Sequence, residues 1–328
     1  MIEPTTTARL GRTQVEVCRL GFGSAPLGGL LRETPDAQAA DAVAAALAAG
    51  LRYFDSAPQY GGGLAEMRLG AALQAMPRDR VTLSTKIGKL VVPRQNAPPQ
   101  TVGFVGAPAH DIAYDYSYDG VMRSLEASLT RLGLSRVDVL LIHDVNRRYH
   151  GARVFERLEE AVAGACKALE ALRGAGTIGA FGPATKDLDI ACAFLARADI
   201  DCVMVPARLT LLDHSACDEL LPSCASRNVS VLAAAPFDSG ILATGAIAGA
   251  TYDYTPADET ILTRVRAIEN LCAQFNVPLA AAALQFPLRY RPVASVVTGM
   301  RGAGEVAANL ALLRQDIPDS FWDAFDRL

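Results

Sequence analysis

The sequence lacks both a long apolar run and a strong excess of one charge. Its 31 Lys and Arg residues nearly balance 35 Asp and Glu residues, giving a net charge of -4 and a pI near 5.6. This balance provides no broad positive field for nucleic acid or anionic lipid. The most apolar run, Val277 to Leu288, is short and contains two prolines, so no segment is expected to cross a membrane. A small molecule is therefore the expected partner.

The sequence also lacks a cysteine pattern typical of disulfides. Its seven cysteines are odd in number, scattered and mostly placed in apolar stretches, which predicts reduced thiols in the core. The segment Met1 to Leu10 has no basic stretch leading into an apolar one, so we predict no secretory signal and a cytoplasmic protein. His214, Cys217 and Cys224 are too irregularly spaced to favour a metal site, and none is predicted.

What the sequence does contain is a repeated alternation of strands and helices. Apolar helical periodicity is clear over Ala37–Ala49, Asp119–Leu132 and Leu158–Arg173. Eight strands are predicted: Leu20–Ser24, Leu51–Asp55, Val81–Lys86, Val137–His143, Thr177–Gly182, Asp201–Pro206, Val229–Ala234 and Ser295–Gly299. Eight such units in 328 residues predict an α/β fold, a single-domain (β/α)8 TIM barrel over residues 1–328. Its active site should lie at the C-terminal ends of the strands.

Two segments interrupt the alternation. Gly88–Ser117 is rich in proline and glycine, and Ile241–Pro256 has no periodicity. Loops of this length inside a compact domain are usually functional. We therefore predict that these two segments, together with Val145–Arg153, determine which substrate binds.

Chemically capable residues stand at the ends of three predicted strands. Asp55, Lys86 and His143 each end a strand, and Tyr60 follows Asp55 in a loop that continues into three glycines. An ammonium close to a phenol favours the phenolate, and a carboxylate holds that ammonium in place. A tyrosine that normally titrates near 10 could then transfer protons. We predict that His143 orients the reacting oxygen.

Several segments resemble the aldo-keto reductase family. Phe54–Gly61, Leu83–Lys86 and Val137–Asp144 are similar to the family signature, in which Asp55, Tyr60, Lys86 and His143 would form the catalytic tetrad. Asp115–Val121, Phe237–Leu242 and Leu284–Pro287 resemble the branch that contains aldose 1-dehydrogenases, L-galactose dehydrogenase and pyridoxal 4-dehydrogenase. The resemblance also implies that an N-terminal β-hairpin over Ala8–Cys18 plugs the barrel.

The resemblance implies hydride transfer between a nicotinamide cofactor and a sugar lactol or a related hydroxylated aldehyde or alcohol. It implies that the protein is a monomer or a homodimer. Glu305 stands where reductases that prefer NADP tend to place an arginine, which favours NAD, while Arg301 keeps NADP possible. The implied cofactor-binding residues are Gly23, Thr185, Arg208, Phe237, Asp238, Ser239, Gly240, Leu242, Gly299, Arg301, Glu305 and Asn309.

The sequence departs from the family pattern where the nicotinamide is usually held. The stretch Ala180–Thr185 lacks the asparagine common after the fifth strand, and Ala233–Pro236 offers no aromatic ring. One possibility is that Thr185 and Asp238 replace these contacts. Another is a cofactor-independent lyase, dehydratase or isomerase that uses Tyr60, Lys86 and His143. A non-catalytic binding barrel is a third possibility, against which the complete tetrad argues.

Overall fold

The computed structural model describes residues 1–94 and 103–328. Its strands are β1 Thr7–Arg9, β2 Glu16–Cys18, β3 Leu20–Gly23, β4 Tyr53–Asp55, β5 Thr82–Ile87, β6 Lys89–Pro93, β7 His110–Tyr114, β8 Val139–His143, β9 Ala180–Ala184, β10 Cys202–Pro206, β11 Ser230–Ala234, β12 Thr251–Tyr252, β13 Thr255–Pro256 and β14 Val293–Gly299. Its α-helices are α1 Asp36–Ala48, α2 Leu64–Leu73, α3 Tyr118–Leu132, α4 Arg147–His150, α5 Val154–Glu160, α6 Cys166–Gly174, α7 Leu188–Arg197, α8 Leu220–Arg227, α9 Ile241–Thr244, α10 Glu259–Gln274, α11 Leu279–Gln285, α12 Ala303–Arg314 and α13 Asp319–Phe325.

Eight of these strands close into a parallel barrel, which confirms the predicted fold. Their order around the barrel is β3, β4, β5, β8, β9, β10, β11 and β14, and β14 pairs with β3 to close the ring. Helices connect consecutive strands on the outside, because a parallel neighbour can be reached only by a crossover connection.

Alternation along each strand separates the barrel interior from the layer under the helices. Tyr53, Val139 and Leu141 belong to the apolar cluster inside the barrel, whereas Phe54 and Leu140 pack in the cluster beneath the helices. Because successive side chains of a strand point to opposite faces, the last inward position of a strand faces the open rim.

An N-terminal hairpin closes the opposite end of the barrel, as the family resemblance implies. Strands β1 and β2 pair antiparallel, with Thr7 opposite Cys18. Leu10, Val17 and Cys18 are buried and join the interior cluster. The hairpin therefore fills the bottom of the barrel with apolar side chains.

Two predicted elements differ by more than two residues at one end. The fifth barrel strand is Ala180–Ala184 rather than Thr177–Gly182, because its pairing with β8 continues through Pro183. The predicted helix over Leu158–Arg173 begins earlier, at Val154, and contains a π-helical turn over Ala161–Ala165. Within that turn, a Cβ on Gly164 would lie 2.8 Å from the backbone of Tyr116 and Ser117, so the irregular turn lies at a close backbone contact.

The two predicted loops contain secondary structure of their own. Gly88–Ser117 includes the antiparallel pair β6 and β7, and its residues 95–102 lie outside the described part of the chain. Ile241–Pro256 includes α9 and the two-stranded hairpin β12–β13. Local pairing satisfies backbone groups in segments whose sequence shows no regular period.

All seven cysteines are unpaired, and five of them are buried. Across residues 1–94 and 103–328, no group of three His, Cys, Asp or Glu side chains is arranged to hold a metal ion. In the same ranges no single helix is long and apolar enough to cross a membrane. Glu259–Gln274 and Leu279–Arg289 reach that length and hydropathy only together, and they are bent by 101°.

Candidate active site

The predicted tetrad lies at the rim because three of its members occupy the last inward positions of neighbouring strands. Asp55 ends β4, Lys86 is near the end of β5 and His143 ends β8. Register places Lys86 beside Leu141, one inward position below His143. All three side chains are buried, although such residues are seldom buried without partners.

The buried charges of Asp55 and Lys86 neutralise each other. Lys86 Nζ donates to Asp55 Oδ2 at 2.7 Å and to the Ser56 carbonyl oxygen at 2.8 Å. The other carboxylate oxygen, Oδ1, accepts from the Ser84 hydroxyl at 2.7 Å. Every one of these partners belongs to β4, β5 or the residue after β4. The pair is therefore held in one orientation by the barrel itself.

Tyr60 reaches the same place from the loop after β4. The three glycines that follow it, Gly61, Gly62 and Gly63, have φ values of 64°, 61° and 93°, a left-handed conformation that glycine adopts without strain. A Cβ on Gly61 would lie 2.4 Å from the Gly28 carbonyl oxygen. The glycines thus allow the sharp reversal into α2 that the sequence predicts, and keep Tyr60 close to the rim.

The Tyr60 ring contacts the other tetrad members. Lys86 Nζ lies 4.9 Å from the ring centroid, and the His143 ring stands edge-on at a centroid distance of 6.2 Å. Phe104 stacks on the Tyr60 ring at 6.0 Å. The structure therefore brings all four predicted residues together.

The pKa of Tyr60 follows its burial more than the neighbouring ammonium. Burial, reinforced by the charge of Asp55, raises the pKa of Tyr60 well above its ordinary value. The Lys86 ammonium, paired with Asp55, favours the phenolate, but burial outweighs that effect. Tyr60 is therefore protonated at neutral pH in this state and is prepared to donate a proton.

The surroundings of His143 favour its neutral form. Burial and the nearby cations Lys89 and Lys86 lower its pKa well below the ordinary value, against the attraction of Asp144. Its Nε2 lies 3.4 Å from Asp144 Oδ2, and its Nδ1 is buried with no partner among the described residues. A neutral imidazole can donate one hydrogen bond and accept another.

Sequence reasoning missed a second charged pair beside the tetrad. Lys89 Nζ lies 2.5 Å from Asp144 Oδ2, and the lysine side chain is fully buried. Its ammonium also lies 3.8 Å from the centroid of the Tyr149 ring. The sequence signal that could have revealed this pair is a lysine at the start of the apolar strand β6, three residues after Lys86. Its burial depends on loops that periodicity does not describe.

The predicted cofactor residues after β11 form a tight backbone arc. Asp238, Ser239 and Gly240 have successive positive φ values of 44°, 61° and 107°. The N–H groups of Gly240 and Leu242 both donate to the Phe237 carbonyl oxygen, at 2.9 and 3.2 Å. The Leu242 side chain is fully buried in the core, so it supports the arc from beneath.

Asp238 and Ser239 bind other parts of the rim. The Asp238 carboxylate accepts from the Thr210 hydroxyl at 2.5 Å, and burial raises the pKa of Asp238 to about 6 despite that bond. The Ser239 hydroxyl accepts from the Tyr254 N–H at 2.9 Å. Ser239 therefore ties the β12–β13 hairpin to the arc.

The side chains of Thr185 and Arg208 are occupied by neighbouring protein groups. Thr185 Oγ1 donates to the Val145 carbonyl oxygen at 3.0 Å. Arg208 donates to the Lys186 carbonyl oxygen at 3.0 Å and to Asp213 Oδ2 at 2.8 Å. Both residues lie just after barrel strands, at the predicted end.

Arg301 points into the protein rather than toward solvent. Its guanidinium donates to the Leu30 carbonyl at 2.5 Å, the Arg32 carbonyl at 2.8 Å and the Thr34 hydroxyl at 2.5 Å. Glu305 Oε2 accepts from the Arg301 N–H at 2.8 Å, and its other oxygen lies 3.5 Å from Arg32. Asn309 is buried on the same helix, α12.

The rim fits a nicotinamide dinucleotide in the chemistry of its donors. Gly23 and Gly299 end the paired strands β3 and β14, which leaves that part of the rim without side chains. Helix α12 begins after Gly302, and no side chain in the described ranges caps it, so its first turn can offer N–H groups to phosphate oxygens.

The fold and the site define a (β/α)8-barrel enzyme in which buried Asp, Lys and His side chains and a partly buried Tyr cluster at the C-terminal ends of the strands. The profile of the aldo/keto reductase family matches residues 19–328. The chain belongs to the aldo/keto reductase family. It is therefore an oxidoreductase that uses a nicotinamide cofactor and acts on aldehydes or alcohols.

Two relatives cover almost the whole chain. Pyridoxal 4-dehydrogenase of Microbacterium luteolum is 39% identical over 323 residues, which cover 95% of this chain and 94% of the relative. D-threo-aldose 1-dehydrogenase of Pseudomonas sp is 37% identical, covering 92% and 91%. The solved aldo-keto reductase of Bacillus halodurans shares the fold, with a TM-score of 0.76 at 23% identity, covering 98% of this chain and 95% of that one.

Proposed function

We propose that this protein is an NAD-dependent dehydrogenase that acts on a sugar lactol or a related hydroxylated aldehyde, with Tyr60 as the general acid and base. The observation that carries the proposal is the buried pair of Asp55 and Lys86, with Lys86 Nζ 4.9 Å from the centroid of the Tyr60 ring. The relatives named for pyridoxal and D-threo-aldose oxidation support this substrate class.

Tyr60 transfers the proton in this proposal. A bound nicotinamide supplies or accepts the hydride. In reduction, the Tyr60 hydroxyl donates its proton to the carbonyl oxygen, and its raised pKa keeps that proton available. In oxidation, the same oxygen takes the proton of the substrate hydroxyl, and the Lys86 ammonium is the cation placed to stabilise the phenolate.

His143 and the aromatic rim position the substrate. The neutral imidazole of His143 offers a hydrogen bond to the reacting oxygen without adding a second charge. The rings of Phe104 and Tyr149 provide apolar faces beside Tyr60 and Lys89. Sugars and pyridoxal both present a ring with polar edges, which suits this combination of apolar faces and polar groups.

Glu305 and Arg301 support the choice of NAD. The Arg301 guanidinium is already bound by backbone and hydroxyl oxygens of the segment 26–34, so it is not directed at a phosphate. The Glu305 carboxylate would repel the 2′-phosphate of NADP.

The test is calorimetric titration of the purified protein with NAD and with NADP, with Glu305→Gln as the matched variant. We expect tighter binding of NAD, and NADP affinity that rises roughly tenfold in Glu305→Gln because removing a nearby charge is worth about 1.4 kcal/mol. NADP binding more tightly than NAD to the unchanged protein would contradict the NAD assignment.

Turnover is followed as absorbance of the reduced nicotinamide with L-fucose and with pyridoxal. The alternative, a cofactor-independent lyase, dehydratase or isomerase, has one observation in its favour: the Thr185 hydroxyl, a candidate to hold the carboxamide, already donates to Val145. That alternative requires that neither dinucleotide binds and that turnover continues in cofactor-free protein.

A further inference from the structure

A single buried ammonium connects the chain neighbours of two tetrad residues. Lys89 Nζ donates to Gln59 Oε1 and to Asp144 Oδ2, each at 2.5 Å. Gln59 directly precedes Tyr60, and Asp144 directly follows His143. Lys89 thus joins the loop after β4 to the residue after β8, two segments that belong to strands separated in the barrel by β5.

The surroundings of Lys89 favour a fixed position for its ammonium. The side chain is fully buried, and its charge faces the rings of Tyr149 at 3.8 Å and Tyr114 at 5.8 Å. Burial lowers the pKa of Lys89, while the Asp144 carboxylate opposes that effect. Cation–π contacts and an ion pair therefore replace the water that a buried ammonium loses.

Asp144 is equally constrained. Its φ of 56° is left-handed, and its N–H donates to the Ala184 carbonyl oxygen at 2.9 Å. Oδ1 accepts from the Asn146 side chain at 3.0 Å, and Oδ2 serves both Lys89 and the edge of His143. Burial alone would raise the pKa of Asp144, but Lys89 and His143 bring it below its ordinary value. A charged carboxylate beside His143 thus depends on Lys89.

We propose that Lys89 is a positioning residue, whose ammonium ties Gln59 to Asp144 and thereby sets the separation of Tyr60 and His143 between which the reacting oxygen binds. In this proposal Lys89 acts through its two partners, Gln59 and Asp144, and not on the reacting atoms. The proposal rests on the proposed function for its kinetic test, and on ring geometry for a test that does not depend on activity.

The kinetic test uses variants that break the tie in different ways. Gln59→Met removes the partner on the Tyr60 side without burying an unpaired charge, and Lys89→Met with Asp144→Asn removes both charges together. We expect each to lower kcat about tenfold or more, with KM and the calorimetric Kd for NAD within twofold of the parent. Lys89→Arg, which keeps a cation at this position, should retain more of the parental kcat than the double variant.

The independent test measures the ring-proton chemical shifts of His143 by NMR in histidine-labelled protein, with the signal assigned through His143→Gln. The edge-on Tyr60 ring influences these shifts at its 6.2 Å separation, so a change in that geometry moves the signal whether or not a dinucleotide binds. We expect a clear movement in Gln59→Met, which leaves Asp144 and its contact with His143 unchanged. The matched control is Lys186→Met, another lysine that binds a carboxylate, Asp253, at the rim, and it should leave the His143 signal in place.

Failure of this proposal and of the proposed function can be told apart. An unmoved His143 signal in Gln59→Met overturns the positioning role even if the protein is an active dehydrogenase. A kcat loss accompanied by an equal loss of NAD affinity also overturns it, because general distortion of the rim would explain both. A moved signal in protein without nicotinamide turnover supports the positioning role while the proposed function fails.

Discussion

The two ends of the barrel use charged residues in different ways. At the bottom, Arg12 pairs with Asp199, and their side chains are 58% and 59% exposed. At the rim, Lys86 pairs with Asp55, and the corresponding values are 2% and 4%. Water screens the first pair and is excluded from the second, so the same kind of contact has a different strength and a different role.

The chemistry of each end follows from this difference. Bottom residues such as Arg173 bind carboxylates that also hold the backbone, since Asp201 accepts from both Arg173 and the Phe181 N–H. Those charges neutralise each other, and their ion pairs connect the barrel to its outer helices. At the rim, burial first and nearby charges second change the pKa values of Tyr60 and His143 in opposite directions. Asp201 is buried as well, so burial alone does not distinguish the two ends; the rim differs because its buried charges lie beside groups that can transfer a proton.

The largest effect that would test this contrast is expected from Tyr60→Phe. Removing the hydroxyl deletes the proposed proton donor, so kcat/KM should fall by about 10²- to 10⁴-fold with little change in the thermal midpoint. The matched control is Tyr290→Phe, a partly buried tyrosine near the bottom whose hydroxyl contacts Cys217. Steady-state kinetics of both variants decide the point: equal losses, or none in Tyr60→Phe, would end the assignment of Tyr60 as acid and base.

An intermediate effect is expected on stability at the rim, from Asp238→Asn. Burial raises the pKa of Asp238 from 3.8 to about 6, so the folded protein holds this proton more tightly than the unfolded chain. The cost of ionising the buried group is therefore absent below pH about 4 and complete above pH about 6. Asparagine should then stabilise the protein at pH 8 by on the order of 2–3 kcal/mol, with no gain at pH 4.

Denaturant unfolding across this pH range measures the effect. The Thr210 hydroxyl can still donate to the asparagine oxygen, so the substitution changes charge more than contacts. A gain of the same size at both pH values would show that ionisation is not its source.

The smallest effect is expected at the bottom, from Arg12→Ala. An exposed ion pair contributes about 0–1 kcal/mol, so the free energy of unfolding should fall by no more than that, and less at high salt. Activity should stay unchanged. A loss above about 2 kcal/mol in urea unfolding would contradict the weak, water-screened ion pair expected at the bottom of the barrel.

Much of the barrel follows from local pattern, and its exceptions have identifiable causes. The eight strands and the terminal positions of Asp55 and His143 follow from apolar runs ending in polar residues. The fifth strand was misplaced by three residues at its start, because its register is determined by pairing with β8, where Pro183 lies opposite Ile142. The π-helical turn over Ala161–Ala165 cannot be predicted from the period of the helix. It lies where Gly164 closely approaches the backbone of Tyr116 and Ser117, a contact between distant parts of the chain.

The candidate site also has features that the sequence predicts and features that it does not. The sequence predicts the order and spacing of Asp55, Tyr60, Lys86 and His143, and it also predicts the glycine turn. The direction of the Tyr60 pKa shift cannot be predicted from the sequence, because it depends first on the burial of the phenol and then on the nearby charge of Asp55. Arg301 and Thr185 were assigned by position, while their hydrogen bonds depend on neighbouring segments.

The sequence by itself determined which side chains stand at the inward ends of the strands, because alternation along a strand is a local property of the backbone. Tertiary structure alone decided that Lys89 is buried against Gln59 and Asp144, since this requires loops from three strands to meet around one ammonium. Local periodicity carries no information about such contacts, whereas the strength and chemistry of a charge depend on the water that those contacts exclude.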